Sequence, residues 1–557
     1  MKKKKRDNKV MNKTNFIQGA FIATFGIVFT KILGILYVIP FHAIIGEQGG
    51  ALYGYAYTIY LVFTALSSAG IPLAISKLIS EYQTLGYYNA KQRAFKMGKQ
   101  IALILGLICF VILFFFAPQL AHAILGDLTG GNTIEQVTFV IRVISTAILV
   151  VPILSIYRGY LEGHKFITPT ALSQIYEQIV RVIFIVAGSF IALKVLHLSL
   201  TTAVGVAVFG ASIGAFAAYV YLLDKTLRNK KKLNEKVLDK NEPRITDKEI
   251  FRKICWYALP FIMIDIFKSL YSFVDTFTLV KTLGEQIKYS TADAETVMGI
   301  ISTWGSKFNM IIISISTGVI ISLIPNLTSS LVLDDKKDIH RKINQTFQIL
   351  LFLTIPMTVG LSFLAEPVWM VFYGSSKYGP SVLSYFVFVA LITSLFTTSV
   401  TMVQVLKYYK VVFFSLLTGV LLKALLNVSL ICGFHKMGLP AYYGSITATM
   451  IGYGVSFIIC LMALHKKCGV NYEETVKQFI HVLCGTVLMI VVLLLLKLVV
   501  PIVVSNRFLN IFIIMIYALV GMVVYFFFTW KMHTIQDIFG DHLLKKLKFR
   551  KKKGGRA

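Results

Sequence analysis

Several charged side chains of this 557-residue sequence stand inside long apolar runs, and their types suit anion binding better than covalent chemistry. Lys31 is the sharpest case. It sits in GIVFTKILGILYV, within an apolar run over 16–45. That is about 14 residues from either end, roughly 20 Å of helix, beyond what a snorkelling lysine stem can bridge. A cation at the centre of a bilayer costs about 2.5–3.5 kcal/mol, so Lys31 must face a polar or wet interior. Lys268 and Lys423 are equally central in their runs, and Lys307 lies nearer one surface. Arg142 is close enough to the end of its run to snorkel and is set aside.

Polar neighbours fall on helical faces. Asp265, Lys268, Ser272 and Asp275 follow i, i+3, i+7, i+10, and Gln174, Glu177, Gln178 and Arg181 share a stripe in the same way. Ser415, Gly419, Lys423 and Asn427 repeat every four residues, and Tyr53, Tyr57, Tyr60, Thr64 and Ser67 form a polar-aromatic face. Facing inward, these stripes would bring five cations (Lys31, Arg181, Lys268, Lys307, Lys423) against three acids (Glu177, Asp265, Asp275). A plainer reading stands beside this one. Glu177 with Arg181, and Asp265 with Lys268, could be local ion pairs that neutralise each other, and polar stripes can be glue between helices. Lys31, Lys307 and Lys423 have no acid at helical spacing in their own runs, which favours a functional role. Lysine binds phosphate as a point charge and arginine adds a planar fork. An anion with a lipid at its other end would suit the apolar envelope.

The elements that carry these charges are transmembrane helices. Of all residues, 56% are hydrophobic and 15% charged, with a mean hydropathy of +0.73. A soluble chain carries about a quarter charged residues. The apolar runs are long enough to cross a hydrocarbon core of about 30 Å. The reading is an all-α polytopic membrane protein with fourteen spans, near 16–45, 52–76, 100–118, 137–157, 171–193, 201–223, 254–281, 299–326, 344–365, 381–406, 411–433, 441–464, 478–500 and 508–530. An even count puts both termini on one side. The segments on that side hold 43 of the 56 Lys and Arg, which assigns it to the cytoplasm. The net charge of +30 is concentrated in the two tails and in 224–253. Such tails touch anionic membrane lipid, so nucleic-acid binding is not expected. The six cysteines have no paired or metal-like spacing and read as apolar fillers. No cleavable signal peptide, nucleotide motif, metal site or cofactor is expected.

The organisation follows: a basic cytoplasmic tail over 1–15, a first lobe of six spans over 16–223, a basic cytoplasmic linker over 224–253, a second lobe over 254–464, two further spans over 478–530, and a basic cytoplasmic tail over 531–557. The halves resemble each other weakly: Lys31 precedes Gly46 by fifteen residues and Lys268 precedes Gly284 by sixteen, while Gly70 matches Gly318. A six-plus-six repeat is a common transporter plan, with its site between the repeats.

The segment RGYLEGHKFITPTALSQIYEQIVRV (Arg158 to Val182), with TKILG in the first span and SSAGIPLAISKLISEY in the second, resembles the SpoVB/YtgP branch of polysaccharide transporters. That branch belongs to the MOP superfamily with MurJ lipid II flippases, Wzx-type flippases and MATE drug exporters. The resemblance implies two six-helix lobes in a V, alternating access, and a cationic cavity for a lipid-linked diphosphate glycan. It also implies a groove for the lipid tail on spans 13 and 14. The chain departs from better-known MurJ proteins in having one cation in span 1, Lys31, and none in span 2 before Lys77. The expected function is lipid II translocation from the inner to the outer leaflet of a bacterial plasma membrane, driven by membrane potential or an ion gradient. Lys31, Arg181, Lys268, Lys307 and Lys423 would engage the substrate. Glu177, Asp265 and Asp275 would hold the cations or bind a coupling Na⁺ or H⁺, and Gln174, Gln178 and Asn427 would line the cavity. Three alternatives stand: a flippase for another lipid-linked glycan (capsule, spore cortex, teichoic or exopolysaccharide), a MATE-type drug exporter, and a non-transporting scaffold for cell-wall enzymes.

Overall fold

Two glycines shape the first helices. A helix over 29–36 (α1) leads into Val38–Ser68 (α2), which kinks at Gly46, where φ is 68° and ψ is −169°. Only glycine adopts that conformation readily. The chain turns again at Gly70 (φ 72°) before Ile71–Leu85 (α3), which Pro72 helps to start. A Cβ on Gly70 would lie 2.5 Å from the Ala258 carbonyl oxygen. Gly284 and Gly318, the partners that the sequence repeat aligned with Gly46 and Gly70, have no positive φ. The weak repeat therefore does not extend to backbone conformation, because its second copy places these glycines within helical turns.

The computed structural model describes residues 29–68, 70–229, 233, 242–333, 335–502 and 507–539. Residues 1–28, which include the start of the first span, 540–557 of the C-terminal tail, and 230–232 and 234–241 of the linker lie outside the described residues. The later spans read from the sequence fall on helical segments, the second interrupted at Gly70 and the eighth at Gly305, and no strand occurs among the described residues. Eleven described stretches are long and apolar enough to cross a membrane.

The helices fall into two compact units that divide at Trp304/Gly305. The first unit continues with Tyr88–Phe115 (α4), Ala117–Leu125 (α5), Ile134–Gly163 (α6), Ile167–Ile183 (α7), Leu200–Arg228 (α8), Asp247–Lys281 (α9) and Thr291–Gly299 (α10). It thus takes in α9, which packs on α2 and α3 and which the sequence reading gave to the second lobe. Thr133 with Gln136 starts α6, and Thr246 with Glu249 starts α9, each pair satisfying exposed N–H groups reciprocally. π-Helical turns follow α7 at Phe184–Gly188 and Ile191–Val195, α9 at Thr282–Gln286, and α10 at Ile300–Trp304.

The second unit holds Ser306–Val332 (α11), Lys336–Phe363 (α12), Ala365–Tyr373 (α13), Gly379–Val405 (α14), Tyr409–Lys436 (α15), Tyr442–Cys468 (α16), Glu473–Val499 (α17), Arg507–Lys531 (α18) and Thr534–Phe539 (α19). Large apolar side chains on α4, α17 and α18, such as Phe115, Leu498 and Phe512, are exposed, as expected of faces turned to lipid.

The described parts of the linker grip the α3–α4 turn. Glu242 accepts the backbone N–H groups of Asn89 and Ala90 at the start of α4, an acid at the positive end of a helix. Arg93 bonds Asp247 and the Ile245 carbonyl, and Lys253 bonds Glu81 at 2.8 Å. The buried Lys91 donates to Gln83 and to the Leu233 carbonyl.

The RGYLEG part of the family-like segment has a packing reason. Gly159 and Gly163 are four apart on α6, and Cβ atoms there would lie 2.3 Å from the Pro72 oxygen and 2.7 Å from the Ser76 oxygen. The α3 and α6 backbones touch, as small-residue spacing in membrane helices permits. Gly159→Ala should therefore lower the thermal midpoint of the detergent-solubilised protein, by overpacking of about 1–3 kcal/mol. Gly454→Ala, where a Cβ meets nothing within 4 Å, should leave it unchanged or raise it.

Candidate functional site: a carboxylate shared by two arginines

In the first unit, α6 and α7 form a hairpin closed by the turn at His164–Phe166. The hairpin brings Arg158 against α7. Glu177 accepts Nη2 of Arg158 at 2.7 Å and Nη2 of Arg181 at 2.5 Å, and Arg158 Nε donates to Ser173 Oγ at 3.0 Å. All three charged side chains are only 15–17% exposed. One carboxylate facing two guanidinium groups leaves a cluster of net charge +1.

Neighbouring helices fix this arrangement. Gly210 and Gly214 let α8 lie against α7, since a Cβ on Gly214 would be 2.7 Å from the Glu177 backbone carbonyl oxygen. From α2, Tyr53, Tyr57 and Tyr60 lie within electrostatic reach of Arg181. The Tyr53 and Tyr57 rings stack at 5.6 Å. The tyrosine face read from the sequence and the α7 stripe thus meet across one polar-aromatic region, with Gln174 and Gln178 half-buried on the same helix.

The other sequence candidates are placed differently. Lys31 is half-buried on α1, and no carboxylate pairs with it among the described residues. On α9, Asp265 is exposed, Lys268 is half-buried and Asp275 is buried. Asp265 and Lys268 form no contact ion pair among the described residues, although each is within electrostatic reach of the other. The second unit carries Lys307, half-buried in the first turn of α11, and Lys423. Lys423 and Asn427 are wholly buried where α15 meets α16. The ammonium donates to Asn427 Oδ1 and to the Ser445 carbonyl, both at 2.9 Å. In this arrangement Lys423 is seated between two helices rather than on an open wall.

Arg158 is the residue that sequence reasoning missed. The span boundary drawn at 157 left it outside the membrane region, whereas α6 runs on to Gly163. The signal was present in the RGYLEG motif, whose arginine precedes a polar α7 stripe across a short turn. Removing the carboxylate from between two buried guanidinium groups leaves both unpaired, at a cost of about 3–5 kcal/mol. Glu177→Ala should therefore destabilise the protein strongly in thermal unfolding, and pairing it with Arg158→Ala should recover part of the loss.

The comparisons with known proteins concern the chain's family and fold. The family model described as polysaccharide biosynthesis protein matches residues 16–331. The lipid II flippase MurJ of Bacillus subtilis (strain 168) is 34% identical over 541 residues, 95% of this chain and 98% of the relative. Stage V sporulation protein B of the same organism is 25% identical over 374 residues, 66% of this chain and 68% of the relative. Among solved structures, a lipid II flippase MurJ in an inward closed conformation matches with a TM-score of 0.66 at 16% identity, covering 92% of this chain and 99% of that one. An inward-facing MATE transporter matches with a TM-score of 0.58 at 15% identity, covering 79% and 94%. The fold is that of these solved structures, and the chain belongs to the polysaccharide biosynthesis protein family, with the lipid II flippase MurJ of Bacillus subtilis among its relatives.

Proposed function

We propose that this protein is a flippase that moves lipid II from the inner to the outer leaflet of a bacterial plasma membrane by alternating access. The observation that carries the reading is the 34% identity to a lipid II flippase along almost the whole of both chains. The net positive Arg158–Glu177–Arg181 cluster supports it, since a diphosphate can dock on the guanidinium edges that Glu177 leaves open. Lys31, Lys268, Lys307 and Lys423 are proposed to join that site during the cycle, with Asp265, Asp275 and Asn427 positioning them. An inside-negative membrane potential, worth about 2.3 kcal/mol per charge per 100 mV, would favour outward movement of an anion and inward return of an empty cationic site. Both termini are proposed to be cytoplasmic, with the basic tails on anionic lipid and wall-synthesis proteins as partners.

The lipid tail has a matching surface in the second unit. Among α11, α12, α13, α17 and α18 lies an apolar hollow of about 530 Å³, lined by Phe308, Pro356, Gly360, Met489 and Gly521 among others. Gly360 and Gly521 leave its floor open: the nearest atoms to a Cβ there belong to the Met489 and Leu493 side chains, at 3.5 Å or more. We assign this hollow to the polyprenyl chain. A second reading, a flippase for a different lipid-linked glycan, is favoured by the likeness to stage V sporulation protein B. A cation exporter is disfavoured, because Glu177 is already held by two arginines.

The test is complementation in a bacterium whose own lipid II flippase can be shut off. Wild type should restore growth, Lys31→Ala should not at equal membrane expression, and Gly521→Phe, which fills the hollow, should reduce it. Failure of well-expressed wild type would shift the reading to another glycan. Full growth with Lys31→Ala would leave Lys31 a structural residue.

A further inference from the structure

At the end of α9 away from the linker, a carboxyl group is buried among neutral partners. Glu295, on α10, is 0% exposed and lies before the span that the sequence starts at 299. Its Oε2 accepts the backbone N–H of Asn132 at 2.8 Å and Asn132 Nδ2 at 2.9 Å, and Tyr55 Oη lies 3.5 Å from Oε1. Three separate pieces of chain meet on this one group: α2, the 126–133 segment between α5 and α6, and α10. The same segment is tied down beside it, since Thr291 Oγ1 donates to the Thr129 carbonyl at 2.6 Å. A Cβ on Gly131 would fall 2.5 Å from Glu295 Oε2.

The titratable groups around α10 come from each neighbouring element. Tyr55 on α2 is in contact. Further along α2, the Glu47 backbone lies against Gly299 and the His42 ring against Trp304. Lys281 on α9 and Glu285 in the following turn sit against Gly126. Asp127 of the segment faces His122, and Asp293 shares α10. Of these, only Tyr55, together with the Asn132 donors, acts on Glu295.

The donor set excludes a metal cation, which needs oxygen ligands where Oε2 meets two N–H groups. A proton fits. Placed on Oε1, it can be donated to Tyr55 Oη, because a phenol accepts as well as donates, while Oε2 keeps both Asn132 bonds. We propose that Glu295 is a proton-binding site whose occupancy controls the docking of the 126–133 segment onto α10.

The direction follows from linkage. Burial pushes the Glu295 carboxyl up, and the Asn132 and Tyr55 hydrogen bonds offset part of that rise. A carboxyl raised in the docked arrangement holds its proton more tightly docked than undocked. Docking is fully supported below the ordinary carboxyl value of 4.5 and weakens as pH rises through the raised one. If the orientation read from the basic segments holds, this end faces outside the cell, and a proton arriving there closes it.

Hydrogen exchange of the full chain in lipid nanodiscs tests this, read by mass spectrometry on amides 127–133 and corrected for chemical exchange rates. Between about pH 5 and about pH 8, wild type should lose protection several-fold. Glu295→Gln, a neutral mimic of the acid, should stay protected throughout, and Asp293→Asn should follow wild type. If Glu295→Gln tracks wild type, another group titrates and the proposal is wrong. If it is unprotected at every pH, the segment needs the anion, which also overturns it. The readout needs no substrate, so it is independent of which lipid the chain carries.

Discussion

A charge inside a hydrocarbon-spanning protein cannot stand alone, and the organisation of the first unit depends on that constraint. Glu177 and its two arginines are nearly dry, so each needs the others at close range. That requirement fixes the angle of the α6–α7 hairpin, the glycines that bring α8 up behind it, and the tyrosine face opposite. Two cations on one anion is an incomplete neutralisation. The residual positive charge is what an anionic headgroup could meet. Lys423 shows the other solution to the same problem, a buried cation held by an amide and a carbonyl.

Much of this was legible in the sequence, for physical reasons. Long apolar runs specify membrane helices almost directly, because a chain in lipid must satisfy its backbone internally. The α7 stripe is legible because residues 174, 177, 178 and 181 share one helical face. Pairing across elements was not legible. Glu177 was matched with Arg181 by i, i+4 spacing, but its second arginine is nineteen residues away and reaches it through a turn. The spacing of Asp265 and Lys268 suggested a bond that the side chains do not make. Spacing states which residues share a face, not which way each side chain turns. Glu295 was overlooked because it lies in a polar stretch between spans, where an acid usually meets water, and only packing buries it.

The described linker residues revise its role as a mere connector. Its carboxylates cap α4 and hold Arg93, and Lys253 reaches Glu81 at the end of α3. The ends of α3, α4 and α9 are therefore tied on the linker side, while the Glu295 contacts tie α2, the 126–133 segment and α10 at the other end. The two sets of polar ties hold different elements of the same unit, so either set can release without breaking the other.

The π-helical turns that close α7, α9 and α10 bear on how such chains diverge. A π turn holds one residue more than the α-helical register needs. Loss of one residue there restores an ordinary helix instead of breaking it, and every face on the lipid-buried side keeps its direction. Elsewhere in the same helix, a single deletion would rotate everything beyond it by about 100° and turn polar stripes toward lipid. The ends of these three helices are therefore where related chains can differ in length by one residue while their charged faces stay in register.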